Sequence, residues 1–322
     1  MGEFELLARL RERLPEAGPR VEVGSGDDAA VTVPGGATAT SVDALVEGVH
    51  FRRETASLRQ IGTKALATAL SDLAAMGAEP GEAYVVLTVP ADLDEEGCLE
   101  ALEGMIELAG ATGTTLAGGD VSRGPVLSFA ITVVGHASAP GLFVHRSGAR
   151  PGDALVVTGE LGGAAAGLLL PELGDLTLAE GTAAGLLRRQ LEPVPRLEAG
   201  RALASAGATA MIDLSDGLGG DARHLADAGG VGLQIDAGAL PVADGVTEVA
   251  TAAGRDPLQL VVGGGEDYEL LATLPPGLDL EELGRSAGAT VTEIGEVVDG
   301  LGVEIRLPGG RMLDPRGYDQ LG

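Results

Sequence analysis

Several residue types that support particular classes of function are scarce in this chain of 322 residues, which has one cysteine, one lysine and no tryptophan. The single Cys98 excludes an intramolecular disulfide framework and is typical of a reducing compartment. The longest apolar run, from Leu161 to Leu170, ends at Pro171, well short of the ~20 residues that a transmembrane helix needs. The N-terminal segment alternates charged and apolar residues, unlike a signal peptide. We therefore predict a cytoplasmic protein.

Basic residues are outnumbered, with 21 Lys and Arg against 48 Asp and Glu, and the formal net charge is −27. The acidic residues are spread along the chain, so they repel phosphate backbones and anionic membrane surfaces. Hydrophobic residues make up 45% of the chain, which is enough for a substantial core and excludes a wholly disordered protein. We expect no nucleic acid and no membrane as partner.

Hydrophobic periodicity predicts alternating helices and strands. Helices are expected at 4–14, 58–76, 94–111, 162–170, 182–190 and 196–206, and strands at 29–33, 39–46, 83–89, 126–135, 154–158, 208–212, 232–236, 269–274 and 291–298. This alternation indicates α/β structure with mixed sheets in both halves. A Gly and Pro cluster beginning at Ser147 predicts a boundary between two domains, residues 1–148 and 149–322.

Six short segments place Asp or Glu beside Gly or Ser after an apolar stretch. Their acidic residues include Asp28, Asp43, Asp72, Asp120, Asp213, Asp216 and Glu266. An isolated example is often a turn or a helix N-cap. Six in one chain, each expected at the end of an element, indicate a shared metal site, because carboxylates without cations repel one another. Magnesium is favoured, since it commonly bridges protein carboxylates to substrate phosphates.

The basic residues also favour metal-assisted phosphate binding. Lys64 is not preceded by the glycine pattern of a P-loop, and the segment at Gly24 lacks the third glycine of a dinucleotide-binding fingerprint. Arg146 is a candidate for bidentate phosphate binding, with an ordinary surface arginine as the alternative. His50 follows Asp43 closely and is a further candidate, although an isolated histidine is often structural. Zinc-binding and Ser-His-Asp hydrolase motifs are absent.

Seven motifs follow one another along the chain, and they read GSGDDAA, SVDALVEGVHF, KALATALSDLAAMGAEP, AGGDVSRGP, HRSGARPGD, IDLSDGL and GGGEDYEL. In this order they resemble the motifs of bacterial thiamine-monophosphate kinases, in the aminoimidazole-ribonucleotide-synthetase-like superfamily. The resemblance extends from about Gly2 to Tyr318. It implies a homodimer of two-domain α/β subunits, with the N-terminal sheets joined into a barrel across the dimer axis and with ATP and substrate between the domains.

The resemblance also implies an activity. The γ-phosphoryl group of ATP would pass directly and in line to thiamine monophosphate, with several Mg²⁺ ions and no phosphoenzyme. This reaction is the last step of thiamine diphosphate biosynthesis. Because the acceptor is already a phosphate with a second pKa of about 6, no general base is required, and catalysis should depend on positioning and electrostatics.

Individual roles follow from the same resemblance. The implied magnesium ligands are Asp28, Ser41, Val42 through its carbonyl, Asp43, Asp72, Asp120, Asp213 and Asp216. The implied ATP contacts are Gly119, Asp120, Arg146 and Ser215, and the implied substrate contacts are His50, Glu266 and Tyr318. Asp43, Asp120 and Arg146 would stabilise the transferring group electrostatically.

Two positions depart from the family pattern. Val42 replaces the threonine of a Ser-Thr-Asp segment, and Pro315 stands where the family often has tryptophan, which leaves Tyr318 to cover the thiamine ring. Two alternatives stay open. One is another ATP-using enzyme of the superfamily, acting on formylglycinamidine ribonucleotide, selenide or a hydrogenase maturation protein. A catalytic cysteine or selenocysteine in a Gly-rich N-terminal segment would favour the selenide reaction, and none is present there. The other is a catalytically silent nucleotide-binding or metal-binding protein with a regulatory role.

Overall fold

The computed structural model describes residues 8–9, 11–25, 29–137, 139, 141–174, 176–307 and 312–313. The chain forms two compact units. Unit 1 comprises Met1–Leu73 and Ala78–Leu142, and unit 2 comprises Ala74–Gly77 and Phe143–Gly322. The boundary predicted from the sequence, after residue 148, lies a few residues beyond the start of the main segment of unit 2. Among the described residues, no helix is both long and apolar enough to cross a bilayer.

The first part of the chain forms a two-stranded ribbon and a four-stranded sheet. The elements are β1 (Val21–Val23), β2 (Val31–Thr32), β3 (Ala37–Val46), α1 (Leu58–Ala75), β4 (Glu79–Val89), α2 (Glu95–Thr112), β5 (Thr115–Arg123) and β6 (Ser128–Ala137). β1 pairs with β2, and the larger sheet has the order β3-β6-β4-β5. β4 and β5 are parallel and are connected by α2, whereas the other neighbours in the larger sheet are antiparallel.

The two faces of the four-stranded sheet differ in exposure because side chains alternate along each strand. One face carries buried side chains, including those of Leu45, Val85 and Ile131, and the opposite face carries the exposed Val42 and Val86. A sheet that is buried on one side only leaves an outer face that a partner could cover.

The helices α1 and α2 approach each other at two glycines. A Cβ atom at Gly62 would lie 1.7 Å from the carbonyl oxygen of Ala101, and one at Gly104 would lie 2.0 Å from that of Arg59. Any larger residue at either position would therefore separate the helices. Asp94 caps α2 by accepting a hydrogen bond from the backbone N–H of Gly97 at 2.9 Å, the usual function of an Asp N-cap.

The second part of the chain forms a seven-stranded mixed sheet with helices. The elements are β7 (Ala154–Thr158), α3 (Gly163–Leu169), α4 (Thr182–Leu191), α5 (Leu197–Ser205), β8 (Ala210–Asp213), α6 (Leu218–Gly229), β9 (Gly232–Asp236), α7 (Val246–Ala252), α8 (Pro257–Gly263), β10 (Leu270–Leu274), α9 (Leu280–Ala287), β11 (Val291–Val298), β12 (Gly302–Arg306) and β13 (Met312–Leu313). The sheet order is β13-β12-β9-β11-β7-β10-β8. Only β12 and β9 are parallel among its described pairs.

Most predicted elements are confirmed, including the mixed α/β class. The helix predicted at 58–76 spans Leu58–Ala75, and the strands predicted at 154–158 and 291–298 have those bounds. Of the helix predicted at 4–14, residues 8–9 and 11–13 are helical and residue 14 is not, while residues 4–7 and 10 lie outside the described residues. Elements missed by the sequence analysis include β5, α6, α7, α8, α9, β12 and β13.

Candidate active site

A hydrogen bond joins α1 to β3 at two of the proposed metal ligands. The Ser41 hydroxyl donates to Oδ2 of Asp72. Asp43 lies two residues after Ser41 on the same face of β3, and its Oδ1 accepts the backbone N–H of Ala44 at 2.8 Å. The intervening Val42 is on the opposite face, 68% exposed. Ser41, Asp43 and Asp72 thus provide a hydroxyl and two carboxylates where the helix meets the sheet.

Gly119 and Asp120 lie on β5 at the edge of the same sheet. Asp43 is opposite Ile131, Ile131 is opposite Val85, and Val85 is opposite Gly119. A Cβ atom at Gly119 would lie 2.0 Å from the carbonyl oxygen of Val85, so glycine is required by the close strand packing. Asp120 is one position further along and is exposed.

The expectation that all these carboxylates terminate elements is wrong. Asp43 and Asp120 lie inside strands, and Asp72 lies inside α1. The Gly-Gly pair before Asp120 belongs to β5, which has an irregular register with β4 near this pair. A glycine in a strand often marks a bulge or a close backbone approach. Asp213, by contrast, is the last residue of β8, as expected.

His50 lies in the turn that follows β3. Its backbone N–H donates to the carbonyl oxygen of Val46 at 2.9 Å, and its ring Nδ1 accepts the backbone N–H of Val46 at 3.0 Å. Because Nδ1 is an acceptor, a neutral His50 ring must carry its hydrogen on Nε2. The ring therefore has one remaining donor, of the kind that a phosphate oxygen accepts.

In unit 2, three carboxylates lie close together at the end of β8 and just after it, those of Asp213, Asp216 and Asp221. Asp213 and Asp221 are buried, and Oδ2 of Asp221 accepts the backbone N–H of Asp216 at 3.0 Å. Burial raises the pKa of Asp221 to about 8, the charges of Asp213 and Asp216 add to this, and the charge of Arg146 opposes it. The sequence analysis missed Asp221, because an acidic residue in the first turn of a helix is typical of an interaction with the helix dipole.

The position of Arg146 is set by its neighbour. The carbonyl oxygen of His145 accepts the backbone N–H of Met211 in β8 at 3.1 Å. This contact holds the exposed Arg146 beside the strand that ends at Asp213. Arg146 is consequently a cation near a group of carboxylates, with a guanidinium available to an anionic ligand.

The motif that contains Glu266 packs along the segment that follows β8. The backbone N–H of Glu266 donates to the carbonyl oxygen of Ser215 at 2.8 Å, and that of Tyr268 donates to Leu214 at 2.9 Å. Glu266 and Tyr268 have left-handed backbone conformations, with φ of 68° and 49°. Such conformations in residues other than glycine are strained and are frequent at functional sites. The fold therefore unites the two motifs IDLSDGL and GGGEDYEL.

The two acidic residues nearest Glu266 have structural partners. Asp267 accepts the backbone N–H groups of Gly162 and Ala164 at 2.7 and 3.2 Å, at the start of α3. Buried Glu269 accepts two hydrogen bonds from Arg196, at 2.7 and 2.6 Å, and one from the Thr158 hydroxyl at 2.7 Å. These contacts satisfy both carboxylates, so Asp267 and Glu269 have structural roles in this motif.

The donor set fits magnesium. The proposed ligands in the described residues are carboxylates, one hydroxyl and one backbone carbonyl, all hard oxygen donors of the kind that Mg²⁺ prefers. Burial raises the pKa of Asp221, and the charges of Asp213 and Asp216 add to this. A cation bound nearby would offset the repulsion among these carboxylates. Within the described part of the chain, no group of three acidic, histidine or cysteine side chains is placed to hold one ion. Mg²⁺ commonly keeps water and substrate phosphate oxygens among its ligands, so it needs few protein carboxylates.

Two of the predicted site residues lie outside the described residues. They are Asp28, a proposed metal ligand, and Tyr318, a proposed substrate contact. Pro315, one of the two departures from the family pattern, also lies outside them. All three stay predictions from the sequence.

Comparison with known proteins identifies the family to which this chain belongs. The models described as AIR synthase related protein, N-terminal domain, and AIR synthase related protein, C-terminal domain, match residues 26–137 and 150–308. A thiamine-monophosphate kinase of Mycobacterium tuberculosis is 41% identical over 277 residues, which cover 84% of this chain and 80% of the relative. The chain belongs to the thiamine-monophosphate kinase family.

Solved structures of similar proteins agree with this assignment. A thiamine-monophosphate kinase from Stenotrophomonas maltophilia K279a has a TM-score of 0.81 and 34% identity, covering 98% of this chain and 96% of that chain. AaThiL complexed with AMPPCP and TMP has a TM-score of 0.76 and 31% identity, covering 87% of this chain and 86% of that chain. The two-domain α/β fold with mixed sheets is therefore that of thiamine-monophosphate kinases.

Proposed function

We propose that this protein transfers the γ-phosphoryl group of ATP to the phosphate of thiamine monophosphate, which yields thiamine diphosphate and ADP. The observation that carries the proposal is the 41% identity, over most of the chain, to a thiamine-monophosphate kinase. A relative of 31% identity, solved with AMPPCP and TMP, supports the pairing of a nucleotide with this acceptor. The reaction is the last step of thiamine diphosphate biosynthesis. The cytoplasmic location of the protein stays a prediction.

The reaction depends on neutralisation of phosphate charge more than on proton transfer. Both reactants carry phosphate charge, and the second pKa of the acceptor phosphate is about 6, so its oxygen is largely ionised near neutral pH without a general base. Bound Mg²⁺ would supply positive charge that offsets the negative charge of the two phosphate groups. We propose that it is held by Asp28, Ser41, the Val42 carbonyl, Asp43, Asp72, Asp120, Asp213 and Asp216.

The remaining site residues bind and orient the reactants. We propose that Gly119, Asp120, Arg146 and Ser215 contact ATP. The Gly119 backbone is exposed on β5, and the Arg146 guanidinium can form bidentate bonds to phosphate. Asp43, Asp120 and Arg146 would stabilise the transferring group electrostatically.

We propose that the acceptor substrate is contacted by His50, Glu266 and Tyr318. The His50 ring offers its Nε2–H to a phosphate oxygen, because Nδ1 already accepts a backbone hydrogen bond. The Glu266 carboxylate is an anion that complements the positive charge of the thiazolium ring. Correct orientation of this kind accounts for much of phosphoryl-transfer catalysis.

We also propose that the protein is a homodimer joined through the four-stranded sheet of unit 1. The outer face of this sheet carries apolar side chains, including Val42 at 68% and Val86 at 41% exposure. A contiguous apolar sheet face is a typical interaction surface. Two copies related by a two-fold axis would bury it, and joining the sheets into a barrel would also remove open strand edges.

An assay with a panel of acceptors tests the proposed function. Purified protein with ATP and magnesium is offered thiamine monophosphate, free thiamine or thiamine diphosphate, and ADP release is followed by a coupled reaction. We expect ADP release with thiamine monophosphate and little with free thiamine, which lacks the acceptor phosphate. ATP turnover with a different acceptor would favour another enzyme of the superfamily, and nucleotide binding without turnover would favour a silent regulatory protein.

A further inference from the structure

Lys64 is the only lysine of the chain and is almost completely buried, with 1% exposure, within α1. Burial of an ammonium group is costly unless its donors are paired. Surface ion pairs in this protein are made by arginines, such as Arg59 with Glu107 and Arg285 with Glu281. The burial of Lys64 therefore indicates a specific internal contact.

One such contact leads to the turn that follows β3. Nζ of Lys64 donates to the carbonyl oxygen of His50 at 3.4 Å, at the long end of hydrogen-bond distances. The same histidine is held to Val46 through its backbone N–H and its ring Nδ1. Gly48 and Phe51 close the turn by a backbone hydrogen bond of 2.8 Å. His50 is thus fixed at its N–H, its carbonyl and one ring nitrogen.

The contact at Nδ1 determines which ring nitrogen carries the hydrogen. With Nδ1 engaged as an acceptor, the neutral ring carries its hydrogen on Nε2. A phosphate dianion has only acceptor oxygens, so Nε2–H is the matching donor. If the carbonyl of His50 were released, the turn could rotate, and the bond from Val46 to Nδ1 would no longer select this tautomer.

The helix that carries Lys64 also carries Asp72, which accepts a hydrogen bond from Ser41 on β3. One rigid element therefore positions a proposed metal ligand against β3 and an ammonium group against the turn after β3. Sites held by rigid elements keep their geometry better than sites held by loops alone.

We propose that Lys64 is a positioning residue for the acceptor substrate: its buried ammonium fixes the His50 carbonyl, so that the His50 ring presents Nε2–H to the substrate phosphate. This inference rests on the proposed function, since it takes His50 to contact the phosphate of the acceptor. It assigns a role to a residue outside the ATP, metal and substrate contacts proposed above.

The test compares Lys64→Met with Thr68→Val. Methionine removes the donors of Lys64 while filling a similar volume. Thr68 is also buried on α1, but its hydroxyl bonds to Ala65 instead of the turn, so Thr68→Val controls for loss of a buried polar group in the same helix. If Lys64→Met does not fold, Lys64→Gln, which keeps an N–H donor on a shorter stem, replaces it.

Three readouts are needed. Long-range ¹H–¹⁵N correlation spectra of histidine-labelled protein report the tautomer of His50. The signals of the His50 ring are assigned because they disappear from the spectrum of His50→Asn. Steady-state kinetics report KM for thiamine monophosphate and KM for ATP separately. Melting temperatures report whether each variant is folded.

We expect the wild type and Thr68→Val to show the Nε2–H tautomer, and the Lys64 variant to show averaged ring shifts. KM for thiamine monophosphate should rise about tenfold, the size expected for a weakened hydrogen bond to a charged group, with KM for ATP unchanged. His50→Asn combined with Lys64→Met should raise KM no further than His50→Asn alone, because the two residues act through one contact.

An unchanged His50 tautomer and an unchanged KM for thiamine monophosphate in the Lys64 variant would overturn the proposal, even if its melting temperature fell. Absence of phosphorylation in every protein, wild type included, would instead refute the proposed function. The tautomer comparison would still show in that case whether Lys64 orders the His50 ring.

Discussion

The backbone N–H of Glu266 donates to the carbonyl oxygen of Ser215 at 2.8 Å, which links a proposed substrate contact to a proposed ATP contact through the main chain. Glu266 makes this bond with a φ of 68°, a conformation that costs about 1–3 kcal/mol for a residue other than glycine. The hydrogen bond to Ser215 is one of the contacts that hold the backbone in this conformation.

Substitution of Glu266 should therefore separate function from stability. We expect Glu266→Gly and Glu266→Ala to raise KM for thiamine monophosphate equally, because both remove the carboxylate. Glu266→Gly should be the more stable of the two by about 1 kcal/mol, because glycine adopts positive φ without strain. Urea denaturation and steady-state kinetics measure the two effects. Equal stabilities, or an unchanged KM in both variants, would contradict this interpretation.

Asp72→Asn should impair magnesium-dependent turnover without unfolding the protein. Asparagine can still accept the hydrogen bond from Ser41, so the contact between α1 and β3 is kept. The negative charge that would bind the metal ion is lost. Turnover should fall by orders of magnitude at fixed magnesium, whereas the surface control Asp244→Asn should match the wild type. Turnover is measured over a magnesium titration, and circular dichroism checks the fold. Wild-type turnover in Asp72→Asn at low magnesium would argue against a metal role.

The proposed dimer predicts a mass of twice the 32.2 kDa chain in light scattering at micromolar concentration. Val42→Asp and Val86→Asp should each shift the protein toward monomer, because a charge on the outer sheet face would be buried in the interface. Val194→Asp is the matched control, since Val194 is also an exposed valine, at 61% exposure, but lies in unit 2. A monomeric wild type would refute the dimer, and equal effects at all three positions would refute the proposed interface.

Stability should depend on pH through Asp267. Burial raises the pKa of this half-buried carboxyl from 3.8 to about 7, although the N–H groups of Gly162 and Ala164 oppose the shift. Between pH 3.8 and about pH 7 the folded protein binds the Asp267 proton more tightly than the unfolded chain does. The stabilisation from this proton is therefore present at low pH and is lost as the pH rises through about 7. The difference in unfolding free energy between wild type and Asp267→Asn should fall across this window. A constant difference would show that Asp267 does not titrate there.

The sequence was sufficient to predict long, strongly patterned elements. The apolar periodicity of Leu58–Ala75 and the β-branched run of Ala154–Thr158 each predict their element closely, because packing and local propensity agree there. β5 was missed because Gly118 and Gly119 disfavour a strand in isolation. The strand exists because it pairs with β4, a long-range contact that local patterns do not encode. α6 was missed for a related reason, since it begins among glycines and is stabilised by buried residues such as Leu218 and Leu225.

The candidate site was predictable by residue type more than by geometry. The motifs identified Ser215 and Glu266, but only the fold shows that their backbones are hydrogen-bonded across the chain. Asp221 and Lys64 were not selected, because burial gives each its significance and burial is not visible in a short motif. Asp267, within the same motif as Glu266, is a structural cap of α3, a distinction that the sequence alone does not make.

The central claim, direct phosphoryl transfer from ATP to thiamine monophosphate, is tested most directly with ATP radiolabelled in the γ-phosphate. The protein is incubated with this ATP, thiamine monophosphate and magnesium, the products are separated by chromatography, and the denatured protein is counted. The account predicts label in the terminal phosphate of thiamine diphosphate, only with magnesium present and with none on the protein. Label confined to inorganic phosphate, or held covalently by the protein, would contradict it.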